Sequence, residues 1–126
     1  MSNVRFIGLD VHKDSIVMSV AETGTAEAKV LGTFPNDINK VIKQFKKLSA
    51  DVSLLRVCYE AGPTGFGLYR RLKEAGIDCI VVAPSLVPQK AGLRVKTDRR
   101  DSKKLAHYLR SGDLTQVWVP DEQTEA

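Results

Sequence analysis

Leu54-Leu55-Arg56-Val57-Cys58-Tyr59-Glu60-Ala61-Gly62-Pro63-Thr64-Gly65, followed by Asp78-Cys79-Ile80-Val81-Val82-Ala83, decides the fold class of this chain. The run Leu54 to Tyr59 reads as a strand ending at Glu60. The Gly- and Pro-containing turn leads into a helix that reaches about Ala75, with Thr64 as its expected cap and Gly76 as its stop. Asp78 to Ala83 is a second strand, ended by Pro84. Strand, helix and strand in such close succession form a βαβ unit, with parallel strands and a right-handed crossover.

Upstream of this unit, Val4 to Leu9 reads as a strand ending at Asp10, His12-Lys13-Asp14-Ser15 as a turn, and Ile16 to Ala21 as a second strand. Thr23-Gly24-Thr25 marks another turn and Ala28 to Phe34 a third strand, so the chain opens as an antiparallel meander. Pro35-Asn36-Asp37 stops the meander and offers N-cap oxygens. Ile38, Val41, Ile42, Phe45 and Leu48 then recur with helical spacing, with Lys40, Lys43, Lys46 and Lys47 on the wet side. Downstream, Ser85 to Lys96 reads as a short helix followed by a basic loop. A further helix runs to a stop at Ser111-Gly112, and on a 3.6-residue period Asp98, Asp101, Leu105 and Tyr108/Leu109 share one stripe. That stripe aims two acids at the protein body, where an unpaired charge is costly. Val117-Trp118-Val119-Pro120 is an apolar packing segment. The order implies an α/β fold, a mixed five-stranded sheet flanked by helices.

At 126 residues, the chain is expected to form one domain with a real core. Its longest apolar run, Cys79 to Ala83, is far too short to span a membrane, and Met1-Ser2-Asn3-Val4-Arg5 lacks a signal-peptide layout, so the expected location is the cytoplasm. Cys58 and Cys79 sit in strand-like segments without metal-ligand spacing and read as reduced core thiols. The net charge of +4 is concentrated: of 19 Lys and Arg, seven (Lys90, Arg94, Lys96, Arg99, Arg100, Lys103, Lys104) lie in residues 90–104, against Asp98 and Asp101. The remainder is slightly acidic. A local basic patch favours a polyanionic partner, the alternative being a solvated helix face.

Asp10 and Glu60 each end a strand, and in open α/β sheets the working crevice lies at the carboxyl ends of strands. If the fourth strand pairs beside the first, these two acids become neighbours, and the Asp98 helix can deliver two more. Carboxylates gathered at about 4 Å repel by about 1 kcal/mol in water and several times more near a protein surface, so four stay ionised together only around cations. Oxygen ligands without imidazole or thiolate point to magnesium (Mg2+), with manganese (Mn2+) able to substitute. Two such ions can clamp the attacking and leaving oxygens of a phosphodiester. Each acid also has a purely structural alternative. Asp10 could end the strand, Glu60 could pair with a cation such as Arg56, Asp98 could cap a helix or suit its dipole, and Asp101 could be a packed structural acid. His12 reads as a turn histidine and His107 as a structural one between core-facing positions. Gly62, Gly65 and Gly67 read as turn glycines, because no P-loop lysine follows.

Three motifs, Phe6-Ile7-Gly8-Leu9-Asp10-Val11-His12-Lys13, Tyr59-Glu60-Ala61-Gly62-Pro63-Thr64-Gly65, and Lys96-Thr97-Asp98-Arg99-Arg100-Asp101-Ser102-Lys103-Lys104-Leu105-Ala106, resemble the N-terminal domain of DEDD insertion-sequence transposases of the one-hundred-and-ten group, which includes the Piv-type DNA invertases. The resemblance implies an RNase H-like, RuvC-type fold, with Asp10, Glu60, Asp98 and Asp101 as a metal-binding catalytic tetrad. It implies further a C-terminal domain bearing a nucleophilic serine, absent here, and guidance by a bridge RNA that pairs with DNA. On this expectation residues 1–120 are the RuvC-like domain and residues 121–126 begin a linker. Expected partners are DNA, the bridge RNA, the serine domain and further copies of the full-length chain, with the seven basic residues on nucleic-acid backbones. Two other functions stay open: an actin-like or sugar-kinase-type ATP-binding domain, disfavoured by the bulky His12-Lys13-Asp14 turn, and a catalytically silent nucleic-acid-binding module.

Overall fold

A computed structural model describes residues 4–62, 66–88, 95–98 and 100–119, with Ser85–Pro88 and Val95–Asp98 described through their backbone pairing. The expected caps and tails at Thr64 and at residues 120–126 lie outside these residues, as do Lys90, Arg94 and Arg99.

The opening meander forms as expected from its apolar runs and turns: β1 (Arg5–Val11), β2 (Ser15–Glu22) and β3 (Lys29–Pro35), antiparallel in succession. Helix α1 (Ile38–Leu48) starts on Asp37, whose carboxylate accepts from the Asn39 N–H at 2.9 Å. Strand β4 (Leu55–Glu60) lies parallel to β1, and α2 (Gly67–Glu74) carries the chain to β5 (Asp78–Val82), parallel to β4. Phe66 precedes α2 without a side-chain cap, and Gly76 leaves the helix at φ +81°. The sheet order is β3-β2-β1-β4-β5, the mixed five-stranded sheet of an RNase H-like fold. Residues 115–117 follow the outer edge of β5, with a bridge between Val82 and Gln116 and a 2.7 Å bond from the Val117 N–H to the Val81 carbonyl.

Two expectations for the second half are corrected. Ser85–Pro88 is a strand, β6, and not a short helix; it pairs antiparallel with β7 (Val95–Asp98). Pro88 pushes the preceding Val87 towards extended backbone, against a helical start. Asp98 therefore ends a strand, and the last helix, α3, runs from Ser102 to Ser111 with Asp101 as its N-cap in extended conformation. The helical period begins only at Ser102, so Asp98 and Asp101 do not share a stripe with Leu105. Gly112 ends α3 at φ +80°, the stop expected from the sequence.

The sheet is covered on both faces. Val41 and Phe45 of α1 and Leu72 of α2 pack with Ile7, Leu9, Val57 and Tyr59 on one side. On the other, Leu105 of α3 packs with Cys58 and Val82, and Ala106 with Ala21 and Ala28. Cys58 and Cys79 are both free and buried, as expected. Val117 and Val119 join the core as expected, but Trp118 between them is 75% exposed, because neighbours in an extended segment face opposite ways. Among the described residues no helix is long and apolar enough to cross a membrane.

Candidate metal and nucleic-acid site

The parallel register pairs Leu9 of β1 with Tyr59 of β4, and the next residue on each strand is an acid, Asp10 and Glu60. Two residues earlier stand Gly8 and Cys58, both in contact with α3: the Cys58 thiol lies 3.6 Å from the Leu105 carbonyl, and Gly8 lies directly beneath the helix backbone. The period of two thus puts Asp10 and Glu60 on the α3 face, side by side at the carboxyl ends of adjacent strands. The sequence expectation that β4 would lie beside β1 is met.

Asp10 is 18% exposed, and its Oδ2 lies 3.1 Å from His12 Nε2. The turn that presents His12 is pinned from outside: Asn36 Nδ2 donates to the carbonyls of His12 at 2.8 Å and Lys13 at 3.3 Å, and the His12 N–H bonds to the Ser15 carbonyl. His12 is therefore exposed, as expected, but coupled to the neighbouring acid.

Glu60 is more enclosed, with only 6% of its side chain exposed. Arg100 holds both of its oxygens. The Arg100 backbone N–H donates to Oε1 at 3.2 Å, and guanidinium Nη1 donates to Oε2 at 2.7 Å while also reaching the Ala83 carbonyl at 3.2 Å. A charge-assisted pair with added hydrogen bonds is what makes a buried carboxylate tolerable. The structural alternative that Glu60 pairs with a cation is thus met, but by Arg100 and not by Arg56, which bonds Asp78 at 3.3 Å because it lies at the other end of β4. Nearby, burial pushes the Cys58 thiol up to about 12, opposed by the positive Arg100 and reinforced by Glu60.

Asp101 is exposed, and its Oδ1 accepts from the Lys104 N–H at 2.8 Å, capping α3. The expectation that it points into the body is corrected; Ser102 takes the buried place, its hydroxyl 2.7 Å from that of Ser19. Asp101 also borders an open cleft of about 400 Å³ with Glu27, Lys103, Lys104, His107 and Tyr108. His107 is exposed there, beside the buried Leu105 and Ala106, and its Nδ1 lies 3.2 Å from Arg110 Nη2. Among the described residues no three His, Cys, Asp or Glu side chains cluster as a ligand set.

The expected basic contacts divide accordingly. Lys104 is exposed, Lys103 is half-buried and reaches Glu27 at 3.3 Å, and Arg100 turns inward to Glu60; Lys96 is on β7. Two features escaped the sequence reading. The glycine inside the buried run Phe6-Ile7-Gly8-Leu9 was the available signal for close backbone approach. For the pairing of Arg100 with Glu60 there was no local signal.

Residues 7–126 match the DEDD transposase family of the IS110 type. The chain is 48% identical over 122 residues to the y4qE protein of Sinorhizobium fredii, described as a candidate transposase, covering 96% of this chain and 31% of that protein. It is 37% identical over 122 residues to the transposase for insertion sequence element IS1533 of Leptospira borgpetersenii, covering 96% of this chain and 35% of that one. The chain thus spans about a third of the length of these relatives. Its fold is similar to that of the large terminase nuclease from thermophilic phage G20c, with a TM-score of 0.51 at 20% identity, over 98% of this chain and 61% of the other.

Proposed function

The chain belongs to the DEDD transposase family, and on that premise we propose that it is the metal-binding catalytic domain of a DNA recombinase. Residues 1–120 make up the domain in this reading, and residues 121–126 begin the connection to a serine-bearing domain that completes strand transfer. Sequence choice then comes from a bridge RNA paired with DNA.

What supports the reading is the bond between the Arg100 backbone and Glu60, which ties the short segment from Asp98 to Asp101 to the end of β4, beside Asp10. The donor chemistry suits a hard divalent ion: Asp10 and Glu60 at adjacent strand ends, with Asp98 and Asp101 on the segment tied to Glu60, would offer carboxylate oxygens, which suit magnesium or manganese better than zinc. Asp101 caps α3 with Oδ1, which leaves its other oxygen as the one it could offer to an ion. When bound, such an ion neutralises and polarises a scissile phosphate. The chain's own residues do the rest. Glu60 and Asp10 set the position at the strand ends, α3 shields them from one side, and Lys103 and Lys104 hold the phosphate backbone.

The test is calorimetric titration of the chain with manganese, beside Asp10→Asn and Glu60→Gln. Binding by the wild type that either substitution weakens at least tenfold is the expected result. Equal binding by all three proteins would overturn the assignment.

A further inference from the structure

We propose that Arg100 is a built-in counter-cation that Glu60 exchanges for the divalent ion, so that loading the metal and releasing the Arg100 guanidinium are one event. This rests on the reading of Glu60 as a metal ligand. Both Glu60 oxygens already hold an Arg100 proton, and the pair is nearly closed to water, with 14% of the arginine side chain exposed. A divalent ion bound to Oε2 would stand within a few ångströms of Nη1, and two positive centres on one enclosed carboxylate edge repel strongly. The guanidinium leaves while the backbone N–H can stay on Oε1, so the segment before α3 keeps its place. Leaving also frees the Ala83 carbonyl, the other acceptor of Nη1. The released group is a planar fork at the edge of the site, suited to bidentate contact with a phosphate. Metal and polyanion therefore favour each other's binding, as reciprocity requires.

The experiment uses manganese alone with the wild-type chain, Arg100→Gln and Arg100→Lys, followed by calorimetry and thermal unfolding. Arg100→Gln is expected to bind manganese about tenfold more tightly, which corresponds to about 1.4 kcal/mol. It unfolds at a lower temperature than wild type without metal, and that gap closes at saturating manganese. Arg100→Lys, which keeps the charge but loses the fork, falls between. Unchanged affinity with a gap that persists would mean that Arg100 stays on Glu60, and would overturn the exchange while leaving the metal site standing. No response to manganese in any of the three would overturn the metal reading and the exchange with it. Should Arg100→Gln fail to fold, the Arg100 Nη1–H resonances of wild type, read at low temperature, decide. Protection from solvent exchange that is lost on adding magnesium supports the exchange, and protection that persists overturns it.

Discussion

A Cβ placed on Gly8 would stand 2.5 Å from the backbone nitrogen of Ala106, so α3 rests on the bare backbone of β1. This contact sets how far the helix stands from the two acids at the strand ends. Gly8→Ala must push helix and sheet apart, at a cost of about 1–3 kcal/mol or more. Urea unfolding should show the loss, with manganese binding weakened as α3 lifts. Unchanged stability would mean that α3 sits elsewhere.

Ser19 and Ser102 share a buried hydroxyl bond of 2.7 Å under the first turn of α3. Removing one hydroxyl strands the other, so Ser102→Ala should cost about 1–3 kcal/mol. The double alanine variant should lose less than the sum of the two single losses. A double-mutant cycle by chemical denaturation measures this coupling; strict additivity would count against the bond.

Asp101 combines an observed cap with a proposed ligand, and the two roles separate by substitution. Asp101→Ala should lower stability by about 0.5–2 kcal/mol through loss of the cap. Asp101→Asn keeps a capping oxygen and should hold stability within a few tenths of a kcal/mol while weakening manganese binding. If Asp101→Asn binds manganese as wild type does, the residue is a cap alone.

The chain should lose stability in alkali. Burial raises Cys58 from 9.0 and Tyr59 from 10.0, each to about 12, with the Tyr69 backbone bond partly opposing the shift of Tyr59. Both groups are bound to their protons more tightly when folded. Their stabilisation is full below the unfolded values and is lost as pH rises from about 9 towards 12. Each group that has ionised only in the unfolded chain adds a slope of about 1.4 kcal/mol per pH unit. Denaturation midpoints between pH 8 and 11 check this; a flat profile would contradict the burial.

Trp118 is the sole tryptophan and lies largely in solvent. Its fluorescence should be red-shifted and readily quenched by iodide in the folded chain. Trp118→Ser should shift stability by less than about 0.5 kcal/mol. A blue, protected emission would show that this segment packs inward.

Much of the architecture follows from patterns written locally in the chain. Apolar runs bounded by turn residues marked the meander, the helical spacing of Ile38, Val41, Phe45 and Leu48 marked α1, and Gly76 and Gly112 marked two helix ends. These signals sit within a few residues of what they specify, and they also placed Asp10 and Glu60 at strand ends. They failed at β6 and at the start of α3, where a basic run with scattered apolar residues fits more than one period. Only the folded chain decided that Asp101 caps a helix rather than facing the core. It decided likewise that Gly8 lies under Ala106, and that Arg100, forty residues away in sequence, neutralises Glu60. The reason is physical: which cation meets which carboxylate, and which backbone tolerates contact, depends on distances created by sheet order and helix docking, and no local period encodes them.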